Sequence, residues 1–425
     1  MRKALYISFL LVLCLSSCKM PEGGRGNIYG YVRDSTSSLP VRYARVFYGD
    51  SCVLTDEEGR FGYSGVFEGI QSVRISKKGF LPSYVSTRVA RNDSVRADAA
   101  LIPITTAWAV GECDLGYCTI LNTTDGGLMW VRQGSSINLA KAALRKVCPI
   151  SEKVCWAVGD KDTIRNQFNI VKTEDGGKNW ERIGGTINGT ESVSLKSIAS
   201  VDSKTAFAMA SDTALVVSTT NGGAAWSVCH SNIAFERFTD ILTLDGKKVF
   251  VAGISNDDGT FIQYSTDSGG DWTFAEIPVS TFSPINCLAV ATDSLLYACG
   301  DAPIGILCSI DGGKNWKSVL SGSEDYKSII MFDEESGWVS TGEKVYFTSD
   351  KFATVDEIAF VSDYPEYYIP SFAMTGIGAI GSYSAAIEGS SSGSILLTLD
   401  AGETWTESLL PYRIRINDLA FWGCR

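Results

Sequence analysis

The chain holds one histidine, His230, just after a strand-like segment, so a His-dependent triad or a histidine-rich metal site has little to build on. Chemistry would have to come from carboxylates, tyrosines or cysteines. The loops at residues 111–118, 159–168, 253–260, 300–305 and 381–393 carry Asp114, Asp160, Asp162, Arg165, Asp257, Asp258, Asp301 and Glu388. An acidic rim of this kind suits a cation or a basic partner, and it equally suits plain solvated charge. Asn256-Asp257-Asp258-Gly259 has the look of part of a calcium loop, but no EF-type spacing follows it. Residues 363–370 read Asp-Tyr-Pro-Glu-Tyr-Tyr-Ile-Pro. Tyr364, Tyr367 and Tyr368, flanked by two prolines, make a stiff aromatic platform for stacking on sugar faces or gripping a protein, or else a cover for a gap in the neighbouring sheet.

A repeat sets these loops out. Thr123, Asp125, Gly127 and Trp130 read Ser/Thr-x-Asp-x-Gly-x-x-Trp. The pattern returns with Asp175 and Trp180, Asn221 and Trp226, Asp267 and Trp272, Asp311 and Trp316, and Asp400 and Trp405. One copy is degraded: Thr348 and Asp350 stand, but Phe352 and Val355 replace Gly and Trp. Counting Val355, the steps between Trp positions are 50, 46, 46, 44, 39 and 50 residues, the period of a propeller. Asp followed by Gly-Gly is turn chemistry: the carboxylate accepts amides of its own turn and Gly supplies φ > 0. The motif closes a β-hairpin, and the Trp covers it with apolar surface.

This pattern resembles the Asp-box, or BNR, repeat of sialidases, sortilins, xyloglucanases and photosystem II assembly-factor-like propellers. The resemblance implies a seven-bladed β-propeller with the motifs on the outer rim. Asp125, Asp175, Asn221, Asp267, Asp311, Asp400 and the six Trp are then structural, and ligands belong on the axial face. Tyr364, Tyr367, Tyr368, Asp257, Asp258 and Asp301 are the candidate ligand-binding residues. Sialidases pair an arginine triad and a Tyr nucleophile with a Phe-Arg-Ile-Pro segment ahead of the repeats. Here Tyr412-Arg413-Ile414-Arg415 lies at the wrong end and lacks the Pro. Xyloglucanases use paired carboxylates between two propellers. No catalytic residue, metal or cofactor is assigned, and a sialidase-like or xyloglucanase-like hydrolase is kept as an alternative.

In chain order, Arg2 and Lys3, an apolar run over residues 4–15 and Ser16-Ser17-Cys18 make a secretory signal too short for a permanent span. Leu15-Ser16-Ser17-Cys18 resembles a lipoprotein lipobox, which implies lipidation of Cys18 as the new N-terminus, and Lys19 after it points to the outer membrane. Residues 19–26 are a tether. Residues 27–103, short strands at about ten-residue spacing, predict a small β-sandwich. Gly30-x-Val32, Pro40-Val41, Ala44-x-Val46, Thr55-Asp56-x-x-Gly59-x-Phe61 and Lys78-Gly79-Phe80 resemble a carboxypeptidase regulatory-like domain, which implies a stalk without catalytic residues. Residues 104–425 are the propeller. Its first unit lacks a leading strand, and Ile416-Asn417-Asp418-Leu419-Ala420-Phe421 is left over at the end, so the C-terminus is expected to complete the first blade and close the ring.

The formal charge of −11 becomes −13 once Arg2 and Lys3 leave with the signal, which argues against a nucleic-acid partner. Beyond Cys18, ten cysteines leave two readings open: disulfides outside the cytoplasm, with Cys113–Cys118, Cys148–Cys155 and Cys287–Cys299 the nearest pairs, or buried thiols acting as small apolar residues. The expected function is non-catalytic binding of a glycan or an envelope protein by an all-β lipoprotein, periplasmic or surface-exposed, or alternatively scaffolding of an envelope complex.

Overall fold

The computed structural model describes residues 24–35, 37–49, 51–77, 79–114, 117–134, 142–184, 187, 192–210, 212–232, 235–331, 334–341, 344–360, 372–375, 380–385, 394–398, 406–410 and 416–422. The described residues are all-β, with no helix. The chain divides into two compact units, one of Met1–Arg33, Pro40–Ile75 and Ser83–Ala100, the other of Asp34–Leu39, Ser76–Pro82 and Leu101–Arg425. Cys18 lies outside the described residues, as do Tyr364, Tyr367, Tyr368, Glu388, Asp400 and Trp405.

The first unit has two four-stranded sheets. In one, Arg25–Asp34 pairs with Arg60–Phe67, Ser94–Arg96 and Ala99–Leu101; the other runs Ser51–Leu54, Arg45–Tyr48, Gly69–Ser76, Ser83–Val89. Strict alternation drives the pairing. Ile28 and Val32 turn inwards while Asn27, Tyr29 and Arg33 face solvent, and Val73 and Ile75 are buried between exposed Ser72 and Arg74. The buried Thr55 hydroxyl accepts from the Ala44 amide at 2.8 Å and donates to the Val41 carbonyl at 2.5 Å, fixing the chain that enters the second sheet.

Among the described residues, the second unit shows seven four-stranded antiparallel sheets. Sheet 1 joins Val131–Arg132, Tyr117–Thr123 and Ala107–Asp114 to the C-terminal strand Ile416–Phe421, which pairs antiparallel with Ala107–Asp114. Sheets 2 to 7 are consecutive four-strand meanders whose first strands are Leu144–Pro149, Leu195–Ser200, Phe235–Thr243, Ile285–Val290, Ser328–Met331 and Phe372–Thr375. Each first strand lies against the next, and Phe372–Thr375 lies against Ile416–Phe421, which in turn touches Leu144–Pro149. The apolar core sits between consecutive sheets: one cluster joins Trp108 and Ile120 to Leu144 and Trp180, another Trp156 and Phe168 to Ile198 and Val217. Second strands such as Ala206–Ala210 are buried on both faces, which is why they read as continuous apolar runs.

The hairpin turns repeat atom by atom. The buried hydroxyls of Thr123, Thr173, Thr219, Ser265, Ser309 and Thr348 each donate to the Asp or Asn two residues on and accept an amide four residues on. The acidic or amide side chain then accepts the amide four residues beyond itself, as Asp125 does from Met129 at 3.0 Å and Asn221 from Ala225 at 2.9 Å. The Trp does more than cover its own hairpin. Trp180 donates to Gln133 Oε1 at 3.2 Å, Trp226 to the Ile183 carbonyl at 3.1 Å and Trp272 to the Cys229 carbonyl at 3.2 Å, each in the sheet before. A Cβ on Gly177 would run into Gln133, so the second turn Gly answers both its φ of +83° and this close approach.

Candidate functional site

Side chains converge where the first strands meet. In five of these strands one extra residue is bulged out, between Leu144 and Lys146, Leu195 and Ser197, Phe238 and Asp240, Ile285 and Cys287, and Ile416 and Asp418. A bulge re-aims side chains without breaking the ladder. Here it delivers two successive non-core residues at the same level of each sheet: Arg145 and Lys146, Lys196 and Ser197, Thr239 and Asp240, Asn286 and Cys287, Asn417 and Asp418.

The deeper members tie neighbouring sheets. Buried Asp418 holds Lys146 Nζ at 3.1 Å and accepts the Val147 amide at 3.0 Å. Asp240 repeats this three sheets on, accepting the Leu288 amide at 2.9 Å and the Ser197 hydroxyl at 3.1 Å. Burial works against the charge on Lys146, but Asp418 and Asp240 outweigh it and hold its ammonium above the usual lysine range. Burial likewise raises the Asp240 carboxyl, against the pull of Lys146. Lys196 beside them is lowered, by the desolvation its crowded surroundings impose and by Arg237 and Lys146, despite Asp240. The Cys287 thiol is pushed up to about 11 by burial and by Asp240.

The outer members meet a second set of carboxylates, each following the glycine that ends the ladder of a second strand. Arg145 binds Asp160 of its own sheet and, at 2.6 Å, Glu112 of the sheet before. Asn286 and Lys327 share Asp301 in the same way, at 2.5 and 2.6 Å. Asn417 donates to Glu112 at 3.4 Å and to the Leu144 carbonyl at 2.8 Å. Of the carboxylates on this rim, Glu112 and Asp301 each lie between cations or amides of two sheets, whereas Asp160 meets Arg145 of its own sheet. Fully buried Asp162 is held by Arg165 at 3.0 Å and Arg182 at 2.7 Å and carries a lowered pKa. Asp257 and Asp258 sit exposed on a tight turn, their amides capped by Ser255 Oγ at 3.3 and 3.2 Å. Among the described residues no group of three or more His, Cys, Asp or Glu is placed to hold a metal ion.

None of the nine described cysteines is joined in a disulfide. Cys113 and Cys118 lie Sγ to Sγ at 3.6 Å, and Cys287 stands opposite Cys299 in the ladder. Cys148 and Cys155 are different: the register sets them against Trp156 and Pro149, and they pack into the clusters on opposite sides of their sheet, so no bond can join them. His230 stacks on Trp272 at 4.6 Å between centroids and shares a hydrogen bond with Gln263, and burial lowers its pKa.

No family model matches the chain, and no curated protein matches it. Solved structures similar to it are propeller-fold proteins. YCF48 from Cyanidioschyzon merolae is 17% identical, TM-score 0.47, over 65% of this chain and 87% of that one. The GH74 xyloglucanase from Xanthomonas campestris is 11% identical, TM-score 0.45, over 80% and 65%. A quinonprotein alcohol dehydrogenase-like protein from Bacteroides thetaiotaomicron is 10% identical, TM-score 0.49, over 92% and 96%. None of these likenesses bears on the residues of the ring.

Proposed function

We propose that the chain is a non-catalytic binding lipoprotein of the cell envelope, anchored at Cys18 to the outer membrane, with a small β-sandwich stalk over residues 27–103 and a seven-bladed propeller over residues 104–425. Support for the propeller comes from seven consecutive four-stranded sheets whose first strands touch in a cycle, with the C-terminal strand inside sheet 1. The ligand is a protein segment or a glycan taken on the axial face. The observation that carries this reading is the ring of bulged strands, which gathers Arg145, Lys146, Lys196, Asn286 and Asn417 from four sheets with carboxylates among them. Charged and amide donors alternating with acceptors suit a ligand rich in hydroxyls, carboxylates or backbone amides. Tyr364, Tyr367 and Tyr368 are proposed as a second contact, beside Asp257, Asp258 and Asp301.

The test presents residues 19–425 to envelope extract and, in parallel, to a glycan array. One stoichiometric envelope protein makes the chain a scaffold, and glycan capture makes it a receptor. Lys196→Glu is expected to weaken either capture at least tenfold, and Tyr367→Ala with Tyr368→Ala to weaken the glycan arm. Undiminished capture by the Lys196 variant moves the ligand off the ring; no capture in either arm sinks the binding reading and returns attention to a hydrolase.

A further inference from the structure

Charge is divided unevenly along the chain. Residues 24–103 carry 11 Lys and Arg against 8 Asp and Glu, while residues 104–425 carry 23 against 39. Residues 24–103 are thus a basic part of a strongly acidic protein, and within them the excess is not spread evenly. In the sheet of Arg25–Asp34, two of the outward arginines are already matched by carboxylates: Arg60 pairs with Asp56 and Glu58 at 2.7 Å, and Arg96 with Asp98 at 2.8 Å. The other sheet has no Asp or Glu in any of its four strands, Ser51–Leu54, Arg45–Tyr48, Gly69–Ser76 and Ser83–Val89.

Its outer face is mixed in a particular way. Register places Arg74 opposite Tyr84, Ile70 opposite Arg88 and Phe47 opposite Cys52. The Arg74 guanidinium lies 4.2 Å from the centroid of the Phe47 ring, so the central and outer strands present one continuous surface. On it Ile70 is 77% exposed, Tyr84 69% and Leu54 49%, among Arg45, Arg74 and Arg88. Large apolar side chains left in water beside Arg74 and Arg88, on a sheet whose strands hold no Asp or Glu, form a surface made for an anionic, partly apolar partner.

We infer that this face rests on the anionic headgroups of the bilayer to which the chain is anchored. The inference rests on the proposed lipidation of Cys18. From Cys18 to the first strand at Arg25 is at most about 25 Å of extended chain, so the sheet cannot stray beyond reach of the headgroups. Phosphates meet the guanidinia as bidentate partners, and Tyr84 and Ile70 enter the interfacial layer where amphipathic and apolar side chains are favoured.

Residues 19–425, the whole chain past the anchor, should co-sediment with phosphatidylcholine vesicles containing phosphatidylglycerol and not with pure phosphatidylcholine. The binding should vanish by about 0.5 M salt, where the Debye length is a few ångströms. Each arginine at such a surface is worth roughly a fivefold change in partitioning, so Arg74→Gln with Arg88→Gln should weaken it about 25-fold. The charge-matched Arg60→Gln with Arg96→Gln should change it less than about twofold, because those guanidinia are already answered by carboxylates. Equal loss in both double variants would assign the effect to net charge and overturn the inference, as would equal binding to neutral vesicles or preference for soluble dextran sulphate over vesicles. The mass of the N-terminal peptide of the membrane-derived protein reports lipidation separately. An unmodified Cys18 overturns the anchor while leaving the vesicle result standing or falling by itself.

Discussion

At the scale of single residues, the turn aspartates show how a short side chain fixes a hairpin. Asp311 accepts from Ser309, from the Lys314 and Asn315 amides and from the Asn315 side chain, and these bonds hold its carboxyl at about 2. Because the folded state binds this proton less readily than the unfolded chain, the contribution is complete above the ordinary value of 3.8 and is lost as pH falls from there to about 2. Asn221 offers the same Oδ1 geometry without the charge. Asp311→Asn should therefore flatten the fall of Tm between pH 4 and 2 and lower Tm at pH 7, where the charge contributes in full. Asp311→Ala should cost about 1 kcal/mol at pH 7 by denaturant titration. A pH profile identical in wild type and Asp311→Asn would remove the charge from the account. These turn residues were legible because all their bonds are local. Gln133, which receives both Trp108 and Trp180, was not: nothing in its neighbours' sequence says that two indoles from two sheets end on it.

At the scale of the element, sheet 6 solves the turn differently from its fellows. Lys351 and Phe352 take φ of +64° and +66°, the left-handed region that the other turns assign to Gly or Ser. Even so, Thr348 and Asp350 make the same hydrogen bonds as elsewhere. The reason is packing. Phe352 is fully buried against Tyr297 of the preceding sheet at 5.6 Å between centroids, filling the space left where Val355 stands for Trp. Phe352→Ala should destabilise by about 3 kcal/mol, as an emptied core site does. Phe352→Gly with Val355→Trp should recover most of that by restoring the pattern of the other repeats and relieving roughly 1 kcal/mol of backbone strain. If the double variant is no more stable than Phe352→Ala, the exchange of one aromatic for the other is not what keeps this turn intact. The first strands carried a readable sign as well: Leu-Arg-Lys-Val, Leu-Lys-Ser-Ile, Ile-Asn-Cys-Leu and Ile-Asn-Asp-Leu each place two non-core residues where alternation allows one, the signature of a bulge.

At the scale of the whole molecule, the C-terminal strand matters out of proportion to its length. Ile416–Phe421 pairs with Ala107–Asp114, and Asp418 reaches Lys146 and the Val147 amide some 270 positions earlier. A chain ending at Leu410 leaves an edge on Ala107–Asp114 and uncovers the cluster of Trp108 and Leu144. It should lose the single cooperative unfolding transition of the intact chain in urea, or aggregate. An unchanged midpoint and slope would mean that sheet 1 is stable without its last strand.

The sequence by itself determined what local physics governs: an all-β chain, hairpins closed by Asp and Gly, buried second strands and a period of about 45 residues. Register, bulges and the partners of charges were decided only in three dimensions. Asp160, Asp162 and Asp301 read as rim acids open to a cation, a basic partner or plain solvent. Folding gives each a cation: Arg145 for Asp160, Arg165 and Arg182 for Asp162, and Lys327, with the Asn286 amide, for Asp301. The difference is one of distance along the chain. A turn spends its hydrogen bonds within four residues, where sequence can be read directly. A charge buried between sheets is satisfied by whatever the fold brings beside it, and that neighbour can lie hundreds of residues away.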